Sequence, residues 1–110
     1  MKTISVEELE KIDSSEITIV DVRPADQYSR GSFPGAVNIP LDEFDEKMET
    51  VDKDKTVYVL CHTGDRSRDC VEKLSDASYE AVNIEGGYRA YLRLSLSRFM
   101  ENDAKEQKEL

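Results

Sequence analysis

The run Val57-Tyr58-Val59-Leu60-Cys61 constrains this chain more than any other stretch. Its β-formers are apolar without alternation, so neither side of the strand can face water. Such a strand belongs in the middle of a sheet that is covered on both faces. The next residues differ in kind: His62-Thr63-Gly64-Asp65-Arg66-Ser67 is a short polar loop around a glycine, leading into a helix. A cysteine at the carboxyl end of a buried parallel strand, facing a helix amino terminus, stands where open α/β sheets put their chemistry.

The loop has a physical logic of its own. A tight turn through Gly64 can aim successive backbone N–H groups inward as an anion nest. The helix that follows adds its unpaired N–H groups and the positive end of its dipole. Arg66 is permanently charged and offers planar donors suited to an oxyanion. A thiol held in that field is expected to ionise more readily than a free one, and the thiolate is the nucleophilic form. Cys61 is therefore the candidate nucleophile, and His62, Thr63, Gly64, Asp65, Arg66 and Ser67 are the candidate substrate-binding cradle.

The rest of the chain alternates helix and strand signals. Ser5 and Glu8 have capping-box spacing, and Val6, Leu9 and Ile12 give a short helix one apolar stripe. Ile17 to Val22 reads as a second inner strand, closed by Arg23-Pro24. Ala25 to Ser29 suits one helical turn, and Ala36 to Ile39 a short strand stopped by Pro40. Leu41, Phe44 and Met48 predict a helix over 41–49 with one edge toward the core. Cys70, Val71, Leu74 and Ala77 form the apolar face of the helix after the loop. Ala81 to Ile84 is the last strand, and Gly86-Gly87 turns the chain into a final helix. There Tyr88, Tyr91, Leu92, Leu96 and Phe99 are expected to cover a sheet face or edge. The pattern predicts α/β with a mainly parallel sheet.

Bulk properties bound the function. A chain of 110 residues makes one domain, read here as residues 1–100 followed by a polar, fraying tail at 101–110. The net charge of −9 argues against nucleic acid or an anionic membrane as partner. No segment approaches the roughly 20 apolar residues that span a bilayer. Met1 to Ser5 leads straight into an acidic helix pattern without an apolar signal region, so the cytoplasm is the default expectation. Two cysteines and a lone histidine adjacent to one of them do not make a disulfide framework or a closed zinc site, and no metal or organic cofactor is expected.

Four blocks, taken together, resemble the rhodanese-like family of single-domain sulfurtransferases: Asp21-Val22-Arg23, Pro34-Gly35-Ala36-Val37-Asn38-Ile39-Pro40, the loop from Cys61 through Ser67, and Glu85-Gly86-Gly87. They occur in family order and spacing across roughly residues 3 to 95. The resemblance implies a rhodanese-like fold, a small five-stranded parallel sheet with helices on both faces. It also implies a reaction. Cys61 would attack the outer sulfur of a small-molecule sulfane donor such as thiosulfate or a persulfide, and become a persulfide itself. A thiol, cyanide or a protein would then accept that sulfur.

The loop from Cys61 to Arg66 has six residues, as in sulfurtransferases. The related phosphatases and arsenate reductases have one more, which makes room for a tetrahedral oxyanion. Those enzymes, and a non-catalytic protein-binding module on the same fold, are the alternatives. His62 stands where thiosulfate-using members often have arginine, and Asp65 brings a carboxylate to the rim. Ser78 replaces a frequent helix-ending glycine, and Tyr91 a common tryptophan. Asp21 and Arg23 are expected to support neighbouring loops through charged hydrogen bonds. Phe33, Tyr88 and Arg89 are candidates for either the pocket mouth or the core, and Cys70 for packing rather than a resolving role.

Overall fold

A computed structural model describes the backbone of residues 1–109 and the side chains of residues 1–103. It has five parallel strands: β1 (Thr3–Ile4), β2 (Ile17–Asp21), β3 (Val37–Asn38), β4 (Thr56–Leu60) and β5 (Ala81–Ile84), in the order β1-β5-β4-β2-β3. The apolar run is β4, at the centre. Its neighbours in the sheet are β2, with Val59 opposite Val20, and β5, with Val59 opposite Asn83.

Side chains alternate across a strand, and each inner strand here feeds two cores. Val57, Val59 and Cys61 enter one cluster with Val20, Phe44, Val71 and Leu74; Tyr58 and Leu60 enter the other with Val6, Leu9, Ile19 and Ile84. The first face is covered by α3 (Phe44–Lys47) and α4 (Ser67–Asp76), the second by α1 (Val6–Glu10) and α5 (Gly87–Glu109), while α2 (Ala25–Ser29) lies between β2 and β3 in sequence. Helices thus flank both faces, as the α/β reading expects.

Local signals explain several elements. Ser5 Oγ accepts from Glu8 N–H at 3.1 Å while the Glu8 carboxylate reaches back to Ser5 N–H, so the capping box is formed. The α4 helix ends in a Schellman motif: Tyr79 N–H reaches Leu74 O (2.9 Å), Ser78 N–H reaches Ser75 O (3.1 Å), and Ser78 takes a left-handed φ of 71°.

Three expectations need correction. Thr3–Ile4, read as a lead-in to the first helix, forms edge strand β1 against β5. The helix expected over 41–49 is broken into a 3-10 turn at Leu41–Glu43, α3, and another 3-10 turn at Met48–Thr50. Leu41 is consequently not a core residue; its N–H is held by Val22 O at 3.1 Å and its side chain is left exposed. On α5 the packed residues are Tyr88, Ala90, Tyr91 and Leu94, whereas Leu92, Leu96 and Phe99 are exposed. That helix outruns the sheet it covers. An ion pair between Arg98 and Glu10 (2.7 Å) ties it to α1, and it continues helically through the polar 101–109 stretch that the sequence reads as a fraying tail.

Candidate active site

The strand order sets the location. From β2 the chain moves outward to β3, and from β4 it moves the opposite way to β5. The crevice above the carboxyl ends of β2 and β4 is therefore the topological switch point of the sheet. A cleft of about 460 Å³ opens there, lined from the β2 side by Val22, Arg23 and Pro24 and from the β4 side by Cys61, His62, Thr63 and Arg66. Gln27, Arg30 and Leu41 complete it. Among the described residues its wall carries three guanidinium groups and an imidazole but no carboxylate, in a chain of net charge −9.

Cys61 follows the last residue of β4 and is 3 % exposed, at the base of the cleft. Its sulfur accepts the Gly64 N–H at 3.0 Å and lies 3.2 Å from the Ser67 hydroxyl. Among the described residues, the N–H groups of Thr63, Asp65, Arg66 and Ser67 meet no acceptor. Helix α4 begins with no side-chain cap, which leaves its first N–H groups open, and Asp69 is the acidic residue of its first turn. A sulfur anion, or an anion carried on that sulfur, would find donors here without displacing protein acceptors.

Glycines let the loop fold so tightly. Gly64 has φ 94°, and a Cβ on it would lie 2.9 Å from Gly86 N and 3.2 Å from Ile84 O. Gly87, at φ 59°, packs where a Cβ would collide with the carbonyl oxygens of Cys61 and His62. Those two carbonyls accept from Tyr88 N–H (2.8 Å) and Arg89 N–H (3.0 Å), so the start of α5 clasps the loop from behind.

Arg66 is exposed on the cleft wall, with no ion-pair partner among the described residues. Asp65 is exposed, accepts from the Thr63 hydroxyl at 3.2 Å, and does not line the cleft. Ser67 is fully buried, so its side chain serves the sulfur rather than a substrate. Asp21 and Arg23 form a buried pair, Nη2 to Oδ2 at 2.6 Å and Nε to Oδ1 at 3.0 Å. Arg23 also donates to Gly31 O (2.7 Å) and sits 4.0 Å over the Tyr88 ring, while Ser32 Oγ donates to Asp21 (2.7 Å). The pair fastens the 31–32 turn against α5 and presents one guanidinium to the cleft. Removing one member of such a pair typically costs about 3–5 kcal/mol.

Phe33, Tyr88 and Arg89 do not line the cleft. Phe33 is in the core, with its ring 5.1 Å from that of Tyr91. Cys70 is buried on α4, and burial pushes its thiol up to about 11. Sequence reasoning missed Asn83, Gln27 and Arg30. Asn83 is buried on β5, where its Nδ2 donates to Gly64 O at 2.9 Å and its Oδ1 accepts from Ser67 Oγ. Its signal was legible: a lone amide within the apolar run Ala81-Val82-Asn83-Ile84. Arg30 and Gln27 carry no such mark, because only the folding of α2 over the switch point brings them to the cleft.

A family model for the rhodanese-like domain matches residues 5–94. YtwF of Bacillus subtilis (strain 168) is 39 % identical over 93 residues, which is 83 % of this chain and 90 % of that one. The thiosulfate sulfurtransferase PspE of Escherichia coli (strain K12) is 40 % identical over 72 residues, covering 64 % of this chain and 69 % of that one. The crystal structure of a rhodanese-related protein from Thermoplasma volcanium superposes with a TM-score of 0.79 at 31 % identity, over 84 % of this chain and 92 % of that one. By the family model and by these relatives alike, the chain belongs to the rhodanese-like domain family.

Proposed function

We propose that this chain is a sulfurtransferase that carries a sulfane sulfur on Cys61. One observation bears most of the weight: the Cys61 sulfur accepts a backbone N–H and sits at the base of a cleft lined by cations without a carboxylate. In the first step the Cys61 thiolate attacks the outer sulfur of an anionic sulfane donor, thiosulfate or a persulfide. The new S–S bond forms as the donor's own bond breaks, and sulfite or a thiolate leaves with the electron pair. In the second step a thiol, cyanide or a protein thiol attacks the terminal sulfur and restores the Cys61 thiolate. Dividing one difficult transfer into two through an activated thiolate is the general logic of covalent catalysis.

The residues present suit both steps. Arg66, free of an ion pair among the described residues, and the unpartnered loop N–H groups favour an anion beside the sulfur. Arg23 holds its guanidinium at the wall through Asp21 and adds to the same field. The donor's negative charge thus meets a positive local potential although the chain as a whole is acidic. Asp65 is the one opposing charge in the loop, and its carboxylate is turned to the Thr63 hydroxyl rather than to the cleft lining.

Intact-mass measurement after incubation with thiosulfate, or separately with glutathione persulfide, tests this reading. The expected result is one added sulfur on the wild-type chain and none on Cys61→Ala. If no sulfane donor adds mass, while aryl phosphate is hydrolysed at Cys61, the phosphatase alternative holds instead.

A further inference from the structure

Asn83 is buried on the face of β5 that looks toward α4, and both ends of its amide are engaged. Its Nδ2 donates to Gly64 O at 2.9 Å, and its Oδ1 accepts from the Ser67 hydroxyl, which lies 3.2 Å from the Cys61 sulfur. A backbone carbonyl only accepts, so Gly64 O fixes which end of the amide is the NH2 group. The end facing Ser67 is then the oxygen, and it too only accepts. Ser67 has a single hydroxyl proton, and that proton points at Asn83. Toward Cys61 the Ser67 oxygen therefore presents a lone pair. The sulfur–oxygen contact is satisfied only when the thiol S–H is the donor.

We propose that Asn83 is a positioning residue that determines which atom receives the Ser67 proton. While Cys61 is a thiol, its S–H donates to Ser67 and Ser67 donates to Asn83. Once Cys61 gives its proton to solvent, the sulfur can only accept. The Ser67 O–H must then rotate from Asn83 to the sulfur, or the anion keeps only the Gly64 N–H among the contacts described. Asn83 thus competes with the thiolate for one hydrogen bond. No covalent bond changes in this switch beyond loss of the thiol proton.

The second bond of Asn83 acts on the loop. The Gly64 carbonyl shares its peptide with the Asp65 N–H, and in a trans peptide these point in opposite directions. Anchoring the carbonyl on β5 turns the Asp65 N–H away from the sheet, where it meets no acceptor among the described residues. The role rests on Cys61 being the reactive thiol, as proposed above, but not on sulfur transfer itself.

The test is the pH dependence of Cys61 alkylation by iodoacetamide in the full chain, read by peptide mass, for Asn83→Leu, Ser67→Ala and the double variant. The titratable and charged groups around the sulfur are His62 and Arg66 of its loop, Arg23 after β2, Arg30 just after α2, and Asp69 and Cys70 on α4. Asp21 and Tyr88 are engaged with Arg23, and Asp65 with Thr63. All of these stay in place in every variant. Asn83→Leu should move the alkylation midpoint to lower pH by about half a unit or more, because the Ser67 proton is released to the sulfur. In the Ser67→Ala background the same change should leave the midpoint where it is. An unmoved midpoint, or an equal shift without the Ser67 hydroxyl, would overturn the role. A purely structural Asn83 would lower thermal stability in both backgrounds and move neither midpoint. Should Asn83→Leu fail to fold, the S–H stretch of Cys61 in the unaltered chain decides: a lower frequency than in Ser67→Ala supports the assignment, and equal frequencies reject it. A chain that takes up no sulfane sulfur would fail the earlier test while leaving this one readable.

Discussion

Gly64 combines a backbone requirement with a spatial one. Its φ of 94° is one that L side chains rarely adopt, and the space a Cβ would need is occupied by the backbone of Gly86. Gly64→Ala should therefore destabilise the fold by about 2 kcal/mol, from left-handed strain plus displacement of the 84–86 backbone. Thermal denaturation would show it, and persulfide loading should slow because the Gly64 N–H loses its aim at the sulfur. An unchanged midpoint of unfolding would contradict this account. Cys70 supports a second prediction. Its folded thiol is raised to about 11 by burial, while an exposed thiol titrates at ~8.5. Between those values the unfolded chain has released its proton and the folded chain has not. The stabilising difference is complete below pH ~8.5 and is lost as pH rises toward 11. Denaturation from pH 8 to 11 should show stability falling, with a shallower fall in Cys70→Ala. At neutral pH, alkylation should stop at one thiol per folded chain, at Cys61.

At the scale of elements, α4 ends on an avoidable strain. Ser78 occupies the left-handed position of the Schellman motif, where glycine meets no Cβ penalty. Ser78→Gly should raise stability by about 0.5–1 kcal/mol, the relief of strain exceeding the added freedom of the unfolded chain. Chemical denaturation measures this directly, and a loss of stability would refute it. The elements that could be read from sequence are those with unambiguous surroundings. β4 is apolar on both faces because both faces are covered, and β5 is so except at Asn83; the Ser5–Glu8 box announces α1 by its own hydrogen bonds. Thr3–Ile4 could not be recognised from two residues; its strand identity comes from β5, eighty residues away. The 41–49 segment has helical spacing, but the Leu41 N–H is drawn to Val22 O, which breaks the register. The candidate site at Cys61 was legible because a thiol and a glycine turn directly follow an apolar strand. Arg30 was not, since its place in the site depends on tertiary packing alone.

The molecule measures 55 × 27 × 22 Å, long in one direction because α5 extends past the sheet. The exposed apolar side chains Leu92, Leu96, Phe99 and Met100 contribute little to either core. A chain ending after Met100 should accordingly keep its unfolding free energy within about 1 kcal/mol and load sulfur at the same rate. A large loss would show that the 101–110 segment belongs to the folding unit. The other end of α5 has a different consequence. The amides of Tyr88 and Arg89 are bonded to the backbone oxygens of Cys61 and His62, and neither residue lines the cleft. They are therefore spectators with a direct line to the proposed sulfur carrier. Their deuterium uptake and nuclear magnetic resonances should register each cycle of loading and discharge without any label near the sulfur.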